Sequence, residues 1–293
     1  MKCLRDALLR TSAFDGSVSV RVLSATNLVR EAAKRHGTSP TATVALGRAL
    51  MGGLLLATEG QDGEQVQLRV RGNGPLGTLL VTADSEGAVR GYAANPTTDV
   101  PLRGEHLGIC DAIGFGELHV ERNHASWKRP YAGIVPIVEG EIAQDLARYL
   151  LESEQKPSAV ALGIYLGPGG EVEAAGGYLV QSLPGADDTL LSDLEQRVVE
   201  TLHPSKLLRE GATLEDLLAR LLGTARREAC QTIEPRFTCP CDFERVISAA
   251  LLLGRDEIRE IVEADETLEV RCEFCAELYR IPPDELGRRS PDA

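Results

Sequence analysis

The residues best placed to do chemistry are four cysteines near the C-terminal end of this 293-residue chain. Cys239-Pro240-Cys241 is followed, after 30 intervening residues, by Cys272-Glu273-Phe274-Cys275. A CxxC knuckle turns two thiolates toward one ion, and a second pair completes a tetrahedral S4 shell with Zn–S near ~2.3 Å. The first pair is CxC, tighter than the pairs of common zinc ribbons, and the gap exceeds their usual ~15–20 residues. The spacing therefore predicts a zinc site of unusual geometry on Cys239, Cys241, Cys272 and Cys275. The dull alternative is two unrelated cysteine pairs in an acidic tail. A segment of about 60 residues with a modest apolar inventory forms only a marginal core. Metal binding would supply much of its folding free energy, on the order of 10 kcal/mol. Four clustered thiolates are also oxidisable, and their conversion to disulfides would strip the ion of its ligands. Such a site turns a chemical signal into a folding transition.

Other motifs support less. A thioredoxin-like reading of Cys272-Glu273-Phe274-Cys275 needs a helix to open at the motif and lower the pKa of the first thiol. Ala276 to Ile281 instead alternates like a strand, which fits a knuckle between strands better. Gly72-Asn73-Gly74-Pro75-Leu76-Gly77 matches GxGxxG, but a strand pattern, Thr78-Leu79-Leu80-Val81-Thr82, follows where a phosphate-binding helix should start. These glycines are expected to form a turn between strands. His36, His106, His119, His124 and His203 lack metal spacing, and Cys3, Cys110 and Cys230 read as buried or incidental thiols. The chain has no GxSxG elbow and no GxxxxGKS/T loop, so neither an α/β-hydrolase nor a P-loop ATPase is supported.

The elements that must position the cysteines follow from periodicity. Strands are predicted at 17–23, 65–71, 79–83, 89–93, 117–122, 133–138, 159–166 and 172–181. Ser39 and Pro40 suit the N-cap and first position of a helix whose residues from Ala42 to Leu56 are apolar on nearly every side except Arg48. That pattern predicts a central core helix, with Gly52 and Gly53 admitting another backbone. An amphipathic helix is predicted over 141–154. After Pro184-Gly185 the character becomes helical, with one stripe of Leu190, Leu191, Leu194, Val198 and Leu202 and another of Leu214, Leu217, Leu218 and Leu221. A further short helical pattern covers 243–253. The reading is an α+β protein: an N-terminal mixed-sheet domain with packed helices at 1–183, a helical linker at 184–231, and a small zinc-binding domain at 232–293.

Composition narrows the function. Charged residues make up 26% of the chain and the formal net charge is −13, which disfavours binding to phosphate backbones. Aromatics at 4% leave few stacking platforms for single strands. From residue 232 onward, 8 Lys+Arg face 15 Asp+Glu, a net of −7 and the opposite of the basic face a zinc-dependent RNA- or DNA-binding factor needs. Arg5, Asp6 and Arg10 interrupt any signal-like run at the start, and a cytosolic location is expected.

Taken together, the sequence resembles the heat-shock protein 33 family over nearly its whole length. In the first domain the resemblance rests on His36-Gly37-Thr38-Ser39-Pro40-Thr41-Ala42-Thr43, Ala45-Leu46-Gly47-Arg48, the stretch Gly72 to Gly77, and Val89-Arg90-Gly91-Tyr92. In the last domain it rests on Cys239-Pro240-Cys241 with Phe243-Glu244-Arg245-Val246, on Leu253-Gly254-Arg255-Asp256-Glu257-Ile258, and on Val270-Arg271-Cys272-Glu273-Phe274-Cys275. The resemblance implies a redox-regulated holdase chaperone rather than an enzyme. By analogy one Zn2+ sits on the four cysteines of the reduced, inactive form. Oxidation then forms Cys239–Cys241 and Cys272–Cys275 disulfides, releases zinc, and unfolds the C-terminal domain and linker. The implied partners are unfolding client proteins and, on activation, a second copy of the chain, with no nucleic acid and no membrane. Asp242 stands where relatives often carry Ser, and either can cap the next helix.

Overall fold

A computed structural model describes residues 5–104, 106–201 and 203–290; Cys3 and Leu202 lie outside the described residues, as does the side chain of His106. The chain forms two compact units, one ending at Phe237 and the other beginning at Thr238. In order, the first holds β1 (Ala7–Ala13), β2 (Val18–Ser24), α1 (Thr26–His36), α2 (Pro40–Ala57), β3 (Gln65–Gly72), β4 (Thr78–Asp84) and β5 (Ala88–Ala93). It continues with β6 (Leu102–Arg103), β7 (His106–Leu107), α3 (Ile109–Ile113), β8 (Gly116–Asn123), β9 (Tyr131–Ile137), α4 (Ala143–Glu152), β10 (Ser158–Leu166) and β11 (Val172–Ser182). It closes with α5 (Asp188–Glu200), α6 (Pro204–Arg209), α7 (Leu214–Leu222), β12 (Gln231–Ile233) and β13 (Arg236–Phe237).

Two main sheets result. One runs β10-β11-β2-β1-β12, antiparallel throughout; the other runs β13-β5-β4-β3-β8-β9, antiparallel except where β13 joins β5. α2 packs against β3, β4 and β5 of the second sheet and against β10 and β11 of the first. That sandwiched position explains its all-round apolar sequence, and every residue in it but Pro40 and Arg48 is buried. At 18 residues it is long and apolar enough to cross a membrane, yet 89% of it is buried within the fold. Its start is as expected: Ser39 Oγ accepts the Ala42 N–H at 3.1 Å with Pro40 at the first helical position.

The two glycines of α2 serve a different purpose from the one predicted. A Cβ on Gly52 would lie 2.5 Å from Leu146 Cδ1, and one on Gly53 would lie 2.9 Å from Val81 Cγ1. They make room for core side chains of α4 and β4, not for another backbone.

β1 and α6 are among the elements that escape the sequence pattern. β1 reads ALLRTSA without alternation because its sheet is covered on both faces, so both side-chain parities are apolar. α6 starts at Pro204, which sits at the first helical position where its missing N–H costs nothing. The helical leucines of α5 to α7 (Leu194, Leu208, Leu217, Leu218, Leu221) pack with Val18, Val20, Val22, Tyr178 and Val180 on the outer face of the first sheet.

The second unit contains α8 (Phe243–Ala250), α9 (Arg255–Glu263), a hairpin of β14 (Leu268–Arg271) and β15 (Leu278–Ile281), and α10 (Pro283–Arg289). The single helical pattern predicted to Leu253 stops at Ala250, and α9 and α10 were not anticipated. Val246, Ile247, Ala250, Ile258, Ile281 and Leu286 form its buried core.

Candidate metal centre

Two local structures in the second unit present the four cysteines. Asp242 ends the CxC loop and caps α8, its Oδ1 accepting the Arg245 N–H at 2.8 Å. The Arg245 guanidinium reaches back to donate to the Pro240 carbonyl at 2.9 Å, holding the loop between the two thiols. α8 is amphipathic and buries Val246, Ile247 and Ala250, which fixes the end that carries Cys239 and Cys241. Asp242 thus performs the capping role expected of it.

The CxxC pair occupies the turn of the β14–β15 hairpin. Arg271 pairs with Leu278, the Cys272 N–H donates to the Glu277 carbonyl at 2.9 Å, and the Ala276 N–H donates to the Cys272 carbonyl at 2.8 Å. Ala276 closes the turn in the left-handed region at φ 59°. A strand follows the motif, so the helix required by a thioredoxin-like site is missing.

The sulfurs converge. All four Sγ atoms lie within 4.8 Å of one another, with Cys239 to Cys272 at 3.8 Å and Cys241 to Cys275 at 3.3 Å. A tetrahedral shell with Zn–S of ~2.3 Å has S···S edges of about 3.8 Å, so the separations fit one ion with four thiolate ligands. Soft sulfur donors in this geometry favour zinc, and four protein ligands leave no open position for a substrate or catalytic water. All four are free thiols.

Electrostatics also points to a cation. Burial pushes the Cys275 thiol well above its ordinary pKa and raises Cys239 as well. Burial acts the same way on Cys241, but hydrogen bonds from the Tyr279 hydroxyl and the neighbouring thiols outweigh it and leave that thiol below its usual value. Tyr279, on β15, donates its hydroxyl to Cys241 Sγ at 3.2 Å, and this bond raises the phenol's own pKa. Four thiols packed this closely cannot all ionise without a compensating positive charge, which a divalent ion supplies.

The other candidates fall elsewhere. Cys230 packs at the edge of the α5–α7 layer and Cys110 is half-buried. His119 pairs with Glu117 at 2.9 Å, His124 with Ser126 at 2.7 Å, and His36 stacks edge-on against Phe237, while His203 is exposed. The GxGxxG stretch is the β3–β4 turn. A Cβ on Gly72 or Gly74 would strike the carbonyl of Ile113 or Ala112 at 1.9 and 2.4 Å, so these glycines admit a neighbouring backbone rather than a phosphate.

Two features went unread in the sequence. One is Tyr279, signalled only by its place in the alternating run after Cys275. The other is Arg122, a cation on the buried parity of β8 beside Leu118 and Val120.

A family model described as Hsp33 protein matches residues 6–282. The chain belongs to the Hsp33 family. It is 41% identical over 296 residues to a 33 kDa chaperonin of Rippkaea orientalis, covering 99% of this chain and 97% of that one. A 33 kDa chaperonin of Shouchella clausii is 39% identical over 285 residues, with 97% and 96% covered. The crystal structure of the Hsp33 homologue of Thermotoga maritima superposes with a TM-score of 0.91 at 33% identity, covering 97% of each chain. The α+β reading and the family resemblance therefore hold. This Hsp33 chain is a member of a chaperone family whose C-terminal four-cysteine cluster is suited to zinc.

Proposed function

We propose that the chain is a redox-regulated, ATP-independent holdase of the cytoplasm that binds unfolding proteins under oxidative stress and has no catalytic activity. The observation that carries this reading is four free thiols within 4.8 Å of one another, in a unit whose buried core comprises six side chains. Under reducing conditions Cys239, Cys241, Cys272 and Cys275 hold one Zn2+ per chain. Bound there, the ion neutralises the thiolates and ties the CxC loop to the CxxC knuckle, supplying fold stability that a small core lacks.

Oxidation acts on the ligands. Two thiolates of a pair give up two electrons and form one disulfide, Cys239–Cys241 or Cys272–Cys275. Two equivalents of a peroxide, each reduced to two hydroxides, therefore consume the whole donor set. The zinc domain at 232–293 and the linker at 184–231 then unfold. Loss of α5 to α7 uncovers Val18, Val20, Val22 and Tyr178 on the outer sheet face of the 1–183 domain, an apolar surface for clients. The activated form dimerises. The −7 charge of residues 232–293, once unfolded, keeps client complexes soluble and gives nucleic acid and anionic membranes nothing to hold.

The test is light scattering of a heat-denatured client with reduced or peroxide-treated chain, with released zinc measured in parallel. Only the oxidised, zinc-free form should suppress aggregation. Equal protection by both forms refutes the switch.

A further inference from the structure

Residues 227–237 run along an open edge of each sheet in the first unit. β12 pairs antiparallel with β1, Leu8 opposite Ile233, Leu9 opposite Thr232 and Arg10 opposite Gln231. The pairing continues through a bridge between Ala13 and Arg227. There the Glu228 N–H donates to the Ser12 carbonyl at 2.8 Å, and Thr11 Oγ1 donates to the Glu228 carbonyl at 2.9 Å. A few residues on, β13 lies parallel to β5, Arg236 opposite Ala88 and Phe237 opposite Val89. One short strap thus caps two sheet edges whose main-chain groups would otherwise stand unpaired.

The strap holds its place lightly. β12 has three residues and β13 two, and Gln231, Thr232 and Arg236 are exposed. Ile233 and Phe237 pack against the α2 core, Cys230 against the α5–α7 layer, and Pro235 is buried. The β1 edge beneath is richer than its occupant. Leu8 faces the α2 core and Leu9 faces the α5–α7 layer, both buried. A strand in the place of β12 sets alternate side chains against both apolar layers, since directly paired residues share a face. The strap offers Ile233 opposite Leu8, but only Thr232 opposite Leu9 and Gln231 opposite Arg10. An extended segment with apolar residues in register would bury more while making the same main-chain bonds.

We infer that the strap is a placeholder, and that its departure turns the β1 edge into a strand-addition site for an extended, apolar-bearing segment of an unfolded client. This rests on the holdase reading. Phe237 is two residues before Cys239, so unfolding of the zinc domain leaves the strap running directly into unfolded chain at its C-terminal end. Main-chain recognition at a sheet edge is tolerant of sequence, as capture of unrelated clients requires. The carbonyl of Ser12 faces the strap, and by strand alternation so do the backbone groups of Arg10 and Leu8. These are the groups a client strand would bond.

The test uses the full, peroxide-oxidised chain and a twelve-residue lysine-flanked peptide alternating valine and threonine. A second peptide carries N-methyl groups on two adjacent central residues, which blocks both edges of the strand while keeping every side chain. The plain peptide should bind, restore hydrogen-exchange protection to the Leu8 and Arg10 amides, and lose at least about tenfold in affinity on methylation. Equal binding of the two peptides overturns strand addition and leaves the holdase reading intact. Suppression of client aggregation without binding of either peptide does the same, as when a second copy of the chain takes the edge. Absence of both peptide binding and aggregation suppression overturns the holdase reading and the inference with it.

Discussion

Replacing Arg122 by Met tests what holds the first unit together. The guanidinium donates to Glu154 at 2.7 Å, Glu59 at 2.9 Å, Glu64 at 3.0 Å and the Leu56 carbonyl at 3.1 Å. The three carboxylate side chains are 7, 10 and 6% exposed, so none can turn to water. Lys156 still reaches Glu59 and Glu154, but one half-exposed ammonium cannot balance three buried carboxylates. Breaking a buried ionic network by removing one partner costs about 3–5 kcal/mol. For a unit of this size that lowers Tm by roughly 6 to 20 °C. Trp127, the sole tryptophan, lines the same cleft as Arg122, so urea unfolding at pH 7 can be followed by its fluorescence. The pH dependence is a second check. Burial pushes the Glu59 carboxyl up, but the Arg122 charge and the Lys156 bond outweigh it and hold it below its ordinary value. A depressed carboxylate stabilises the fold above its unfolded pKa of about 4.3 and loses that contribution as pH falls through the folded value. Without Arg122 the Glu59 carboxylate takes up a proton more readily. The gap between variant and wild type should therefore narrow from pH 7 to pH 5. A penalty below about 1 kcal/mol at pH 7, or one unchanged by pH, would refute the reasoning.

Three further outcomes are expected. Tyr279→Phe removes the hydroxyl that donates to Cys241 and should weaken zinc binding about tenfold in competition with a chromophoric chelator; unchanged affinity contradicts a supporting role. Leu217→Ala, at a fully buried position between α7 and the sheet, should cost about 2–5 kcal/mol. Hydrogen exchange at amides 214–222 of the reduced chain should accelerate, and unaltered exchange there argues against α7 being held by this contact. Gly87→Ala places a Cβ 2.7 Å from the Glu234 carbonyl at a φ of 90°, so the strap should shift and its amides exchange faster with zinc stoichiometry unchanged. Protection of residues 231–237 equal to wild type would mean the strap does not depend on that close approach.

The four-cysteine cluster was legible because thiols at fixed spacing carry their chemistry in the sequence. The knuckle at Cys272 to Cys275 could be placed between strands from the alternation on either side. α2 was legible for a related reason, since Ser39 and Pro40 mark its start and its lack of a polar face marks its place in the core. β1 was not, because a strand buried on both sides has no period-two signal. β12 and β13 are too short for any pattern, and their existence depends on open edges far away in sequence. Arg122 stands on the buried parity of a readable strand, but its partners Glu59, Glu64 and Glu154 lie 32 to 63 residues away. Only the folded topology brings them together.

Zinc as the clamp of the second unit is tested most directly by hydrogen exchange on the reduced chain before and after a strong chelator removes the metal, with reductant present throughout. Amides of α8, β14 and β15 should lose their protection together on zinc removal while those of α2 keep theirs. Persistent protection across residues 243–281 in the metal-free, reduced chain would contradict the clamp.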